Sequence, residues 1–175
     1  MQKNWYIIYT KPKSEKKVAT LLSKQKIEFF FPLNLKESTS LRKKRAFQQP
    51  LFKSYVFANT EESEIGKIKN MAGVVNLLYW KGKPAVIKKE EIEVIKDFIT
   101  DYQDIRVEKI AVNIKDIAKA IDGSRYSFTG NILTVKNTVV KVNLPSIGYR
   151  LIAKLEASNP LLIAPSIEEK DLLLQ

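Results

Sequence analysis

The 175 residues include no cysteine and no histidine, so a thiol nucleophile, an imidazole base, a disulfide and a zinc site with Cys or His ligands are all excluded. The six glycines, at 66, 73, 82, 123, 130 and 148, never reach G-x-G or G-x-x-x-x-G-K spacing. No glycine-rich phosphate cradle is present, and an NTP site is not expected. Carboxylate pairs remain at Glu61-Glu62 and Glu90-Glu91. Each stands where a helix should begin, and there negative charge complements the helix dipole. No Ser-Lys or carboxylate constellation for catalysis is left. The expectation is a protein that binds rather than reacts, with neither metal nor cofactor.

What remains for chemistry is aromatic and cationic. The segment Pro50 to Phe57 reads Pro-Leu-Phe-Lys-Ser-Tyr-Val-Phe and follows the basic run Arg42-Lys43-Lys44-Arg45. On a strand, Tyr55 and Phe57 share one face and Val56 and Ala58 the other. Aromatics beside cations suit a docking surface, but strand aromatics are more often core, and both readings stand on the residues themselves. The formal net charge is +11 and the pI about 9.7, which favours a polyanionic partner. Residues 1–100 hold 20 Lys and Arg against 10 Asp and Glu, whereas residues 101–175 hold 10 against 9. The polyanion signal therefore belongs to the first part.

The elements that must position these groups follow from periodicity. Trp5 to Thr10 reads as a strand. Residues 13–26 read as a helix whose Val18, Ala19, Leu21 and Leu22 face a core, while Lys13, Lys16, Lys17 and Lys24 fall on the opposite arc. That arc is either a solvated face or a phosphate-contacting one. Ile27 to Leu33 is a short apolar run ended by Pro32, and Ser38 to Phe47 a basic loop or hairpin tip. After the Tyr55 strand, Thr60 to Glu64 opens a helix with Ile65 and Ile68 inward. Val74 to Tyr79 is a strand, Gly82-Lys83 a turn and Pro84 to Ile87 extended. Lys88 to Thr100 is a helix burying Ile92, Ile95 and Phe98 or Ile99.

This order gives an α+β fold class: a ferredoxin-like antiparallel sheet with helices over residues 1–100. A polar linker follows at 101–106. Alternating runs at Arg106 to Asn113, Asn131 to Lys136, Thr138 to Leu144 and Tyr149 to Leu155 suggest a small SH3-like β-barrel over 107–165, with a tail at 166–175. Residues 114–121 fit a helix better. The longest early apolar run, Trp5 to Tyr9, is far too short for a membrane span or signal core, so a cytoplasmic protein is expected.

Two resemblances compete. Lys53-Ser54-Tyr55-Val56-Phe57 loosely resembles the RNP1 octamer of RNA-recognition modules, with Ser54 where glycine is usual. The second spans much more of the chain. Trp5-Tyr6, Lys11-Pro12-Lys13-Ser14-Glu15-Lys16-Lys17-Val18, Pro32, Pro50-Leu51-Phe52 with Tyr55-Val56-Phe57, Gly73-Val74-Val75 and Gly82-Lys83-Pro84-Ala85-Val86-Ile87 before Glu90-Glu91-Ile92 together resemble a NusG N-terminal domain, nearest to the specialised RfaH and UpxY kind. Thr129-Gly130-Asn131-Ile132 and Val139 to Leu155 resemble that family's KOW barrel less closely. The Gly-Pro-aromatic approach is replaced by Asp122-Gly123-Ser124-Arg125.

The NusG resemblance implies a transcription elongation and antitermination factor with no chemistry of its own. It implies that Phe52, Tyr55 and Phe57, with Trp5 beside them and Ile95 at the margin, receive the β′ clamp helices of RNA polymerase. Lys11, Lys17 and Lys24 match positions that face single-stranded non-template DNA, and Lys13 and Lys16 extend them. Arg42, Lys43, Lys44 and Arg45 lie in the family's hairpin, within reach of upstream DNA or polymerase. The polymerase β subunit, and nascent RNA or the ribosome through the KOW-like part, are further partners that the resemblance allows. A monomer without membrane contact is expected.

Overall fold

The computed structural model describes residues 2–37, 46–110, 133–136 and 139–154. Its first sheet has β1 (Asn4–Thr10) at the centre. One edge of β1 pairs antiparallel with β5 (Tyr55–Thr60), placing Ile7 opposite Phe57 and Tyr9 opposite Tyr55. Beyond β5 lies β2 (Glu28–Phe30), where Phe30 meets Phe57. The other edge of β1 is shared end to end by β6 (Val74–Leu77) and β9 (Val86–Ile87). β3 (Leu33–Glu37) and β4 (Ala46–Pro50) form a separate hairpin between β2 and β5. The run Arg42 to Arg45 comes between β3 and β4 in the sequence and lies outside the described residues.

Period-two alternation sorts the sheet into two faces. Tyr6, Ile8, Val56 and Ala58 point one way, into a core closed by α1 (Glu15–Lys24) through Val18 and Leu22 and by α2 (Ile65–Lys69) through Ile65 and Ile68. Trp5, Ile7, Phe57 and Ile87 point the other way, onto Ile92, Ile95 and Phe98 of α3 (Lys89–Asp101). Most strands and helices expected over residues 1–100 are recovered with ends shifted by a few residues, but the strand expected from Val74 to Tyr79 breaks after Leu77, and Tyr79 and Pro84 pair in a separate hairpin while Val86 and Ile87 join β1. Lys81 and Gly82, rather than Gly82 and Lys83, form the turn between β7 (Tyr79–Trp80) and β8 (Lys83–Pro84).

The second sheet is antiparallel, in the order β10 (Arg106–Lys109), β13 (Tyr149–Lys154), β12 (Val139–Leu144), β11 (Leu133–Lys136). It is open among the described residues, which contain no closed barrel. The helix-like segment 114–121 and the tail 166–175 lie outside them.

The polar stretch after α3 is not a free tether. Ile105 is buried; its N–H donates to Asn34 Oδ1 at 3.1 Å, and Asn34 Nδ2 donates back to the Ile105 carbonyl at 2.7 Å. Asn34 is itself buried, so this reciprocal pair satisfies an amide that would otherwise be costly to desolvate. The chain therefore enters β10 from a fixed point on β3.

Candidate functional site

The segment Pro50 to Phe57 turns sharply before entering β5, with Ser54 at φ 62° in the left-handed region. A non-glycine residue there needs support from outside. It comes from Glu15 at the start of α1: this buried carboxylate accepts the Ser54 N–H at 2.8 Å, and the Ser54 carbonyl accepts the Thr10 N–H at 2.9 Å. The turn thus ties α1, β1 and β5 together and aims Phe52 and Tyr55 to the α3 side of the sheet. Nothing in the spacing of residues 39 apart along the chain announces Glu15 as the partner.

On that side the predicted aromatic residues come together. Phe52 meets Phe57 edge-on at 5.8 Å between ring centroids, and Phe30 stacks on Phe57 at 6.1 Å. Trp5 and Ile95 belong to the same cluster. The face is not open, however. Phe57 and Ile95 are 0% exposed, Phe52 3% and Trp5 6%, while Tyr55 is half-buried.

Cover is provided by the second sheet, whose Val140, Val142, Leu144, Leu151 and Ala153 join the same core. Tyr149 lies edge-on to Phe52 at 5.6 Å and to Tyr55 at 6.2 Å. Burial, and then the neighbouring Tyr55 hydroxyl, push the Tyr149 phenol up to about 12. A cavity of about 630 Å³ remains beside this contact, lined by Lys36, Lys53 and Arg106 as well as Phe52, Tyr55 and Tyr149.

One polar contact pins the cover down. Glu91 on α3 is buried, and its Oε1 accepts both the N–H of Ser146 at 3.2 Å and its hydroxyl at 2.8 Å. Its Oε2 is buried without a partner. Glu91 is therefore not the simple dipole-complementing residue that its position at a helix start suggested; it bridges to the turn between β12 and β13. Burial is the largest influence on it and raises its pKa, the two Ser146 bonds and Lys88 opposing and Glu90 adding to the rise.

A carboxyl whose pKa is raised above its ordinary 4.5 contributes stability that is complete below that value and is lost as pH rises through the raised one. Acidifying from pH 7 to 5 should therefore strengthen the covered arrangement relative to a Glu91→Gln variant. Thermal midpoints of both proteins at the two pH values check this, and parallel responses would contradict it.

The lysines occupy the other side of the sheet. Lys16, Lys17 and Lys24 are exposed on α1, and Lys11 and Lys13 are exposed just before it. None of the ion pairs among the described residues involves them. The sheet thus separates the aromatic face from the cationic one. No group of three or more potential metal ligands occurs among the described residues. No described helix is long and apolar enough to cross a membrane.

The class is an α+β protein built on one antiparallel sheet, with a buried aromatic cluster on one side and exposed lysines on the other. The family model described as transcription termination factor NusG matches residues 3–96, more than half of the chain, which therefore belongs to the NusG family. That is a family of non-enzymatic transcription factors that act with RNA polymerase during elongation and termination. A solved structure from Thermotoga maritima, titled for domain interaction in its NusG, is similar over 89% of this chain and 94% of that one, with 17% identity and a TM-score of 0.48. No curated protein is significantly similar to the chain.

Proposed function

We propose that this chain is a transcription elongation and antitermination factor of the specialised NusG kind, without enzymatic activity, working in the cytoplasm. Residues 1–100 form the unit that docks on polymerase, 101–106 the connection, and 107–165 a KOW-like unit with its own partner, nascent RNA or the ribosome. In the docking state Phe52, Tyr55 and Phe57, flanked by Trp5 and Ile95, receive the tip of the β′ clamp helices. Lys11, Lys13, Lys16, Lys17 and Lys24, on the opposite side of the sheet, face the single-stranded non-template DNA. A bridge between clamp and displaced strand disfavours the clamp movements that accompany pausing and release.

The observation that carries this reading is the aromatic face itself. Its cluster is filled by the second sheet in the arrangement described above, and a helical tip with apolar side chains could fill the same place. Docking then requires the second sheet to leave, which makes the covered form the resting one. Tyr149 and the Glu91–Ser146 contact are the groups that hold it shut.

The RNA-recognition alternative expects a sheet whose aromatic face is open to bases. Here that face carries α3 as well as the second sheet, so the polymerase reading is preferred. Affinity recovery from a bacterial lysate tests the choice. Polymerase subunits that survive nuclease treatment are the expected result. Recovery only of RNA, abolished by ribonuclease, would overturn it.

A further inference from the structure

A further surface lies on the hairpin β7–β8. Trp80 is 67% exposed, the highest value among the exposed large hydrophobic side chains of the described residues. Its cross-strand partner is Lys83, so the indole and that ammonium stem share one face of the hairpin. The two residues between them, Lys81 and Gly82, have φ of 50° and 79°. Both central residues at positive φ make the tight turn that matches strand twist, so the tip is a defined platform and not a loose loop. On the other face Tyr79 is already engaged: Lys69 Nζ donates to its hydroxyl and stands 4.9 Å from the ring centroid.

Charge selects the partner. From Ile65 to Lys89 the sequence has Lys67, Lys69, Lys81, Lys83, Lys88 and Lys89 and no Asp or Glu. A lone exposed tryptophan needs no explanation, but one with a lysine next in the chain and another across the hairpin, in a stretch without acids, combines a stacking surface with phosphate-neutralising cations.

We propose that the hairpin Tyr79–Pro84 is a single-stranded nucleic-acid contact, with a base stacked on Trp80 and the flanking phosphates held by Lys81 and Lys83. It is separate from the α1 lysines and does not depend on clamp docking. Stacking on an indole is sequence-tolerant, so the site tracks a strand and does not read it.

Tryptophan fluorescence tests this in the full chain, because the other tryptophan, Trp5, is buried and gives a steady background. Titration with (dT)12 or (U)12 at low salt should quench Trp80 saturably, and a matching 12-base-pair duplex should not. The relative affinities of the two strands show which nucleic acid is preferred. Trp80→Ala, read by the anisotropy of a fluorescein-labelled (dT)12, should weaken binding roughly tenfold, as expected for loss of one stacked base. Lys81→Asn, which tolerates positive φ, combined with Lys83→Gln should lower the log-log salt slope by about 1.4, two contacts at about 0.7 each. Absence of quenching by both oligonucleotides, or quenching that survives the Lys81/Lys83 changes with its salt slope unaltered, would overturn the proposal. So would protection of Trp80 by polymerase with no response to either strand, which would assign the hairpin to a protein interface. Each of these failures leaves clamp-peptide binding through Tyr55 untouched.

Discussion

Tyr149→Ala is expected to tighten binding of a β′ clamp-helix peptide to the full chain by roughly 30-fold. The Tyr149 ring makes two edge-on aromatic contacts with the proposed docking face, to Phe52 at 5.6 Å and Tyr55 at 6.2 Å. Aromatic pairs contribute about 0.5–1.5 kcal/mol each beyond the area they bury, so losing both costs the covered state about 2 kcal/mol. At about 1.4 kcal/mol per factor of ten, that shifts the opening equilibrium about 30-fold. As long as the covered form predominates, apparent affinity is the intrinsic affinity reduced by the open fraction, and the whole shift appears in peptide binding. Tyr149 stands at the edge of the contact and is only half-buried, so the sheet that carries it should keep its fold. Isothermal titration of the variant against the parent reads the effect directly.

The second large effect is on stability. Phe57 is 0% exposed and touches Phe52, Phe30 and the α3 side of the core. Phe57→Ala removes a large ring from a site walled by two strands and a helix that cannot collapse onto it. Such truncations cost about 3–5 kcal/mol, against a total of about 5–15 kcal/mol for a typical domain. Urea denaturation should show a midpoint lowered by about a fifth or more, and a shift within error would mean that the face is looser than its burial indicates. Loss of polymerase binding in Phe57→Ala or Phe52→Ala is therefore confounded with unfolding. Tyr55, half-buried at the rim, is the residue whose truncation separates docking from folding.

Much of this was legible in the sequence because it follows from local periodicity. Alternation along β5 put Tyr55 and Phe57 on one face and Val56 and Ala58 on the other, and the two sets do enter different cores. The 3.6-residue repeat of α3 gave Ile92, Ile95 and Phe98 or Ile99 as its buried stripe, and the structure buries the first three. The choice between core and docking surface for the aromatics could not be made locally, since the same residues serve as core while the second sheet covers them.

What the sequence concealed is non-local and polar. Glu15 supports Ser54 across 39 positions, Asn34 clasps Ile105 across 71, and Glu91 reaches Ser146 across 55. Each is a single side chain satisfying a backbone group or a turn, and single side chains have no period. Glu91 misled for a further reason: a carboxylate in the first turn of a helix has a sufficient local explanation in the dipole. Trp80 was passed over because a two-residue strand is too short for alternation to mark its face.

The account turns on one claim, that the aromatic face now under the second sheet is the face that polymerase uses. Measuring clamp-helix peptide affinity for Tyr149→Ala and for Tyr149→Ala with Tyr55→Ala tests it most directly. The account predicts tight binding in the first and its loss in the second, with both proteins showing the same cooperative unfolding. Equal affinity in the two variants, or a Tyr149→Ala protein no better at binding than the parent, would contradict it.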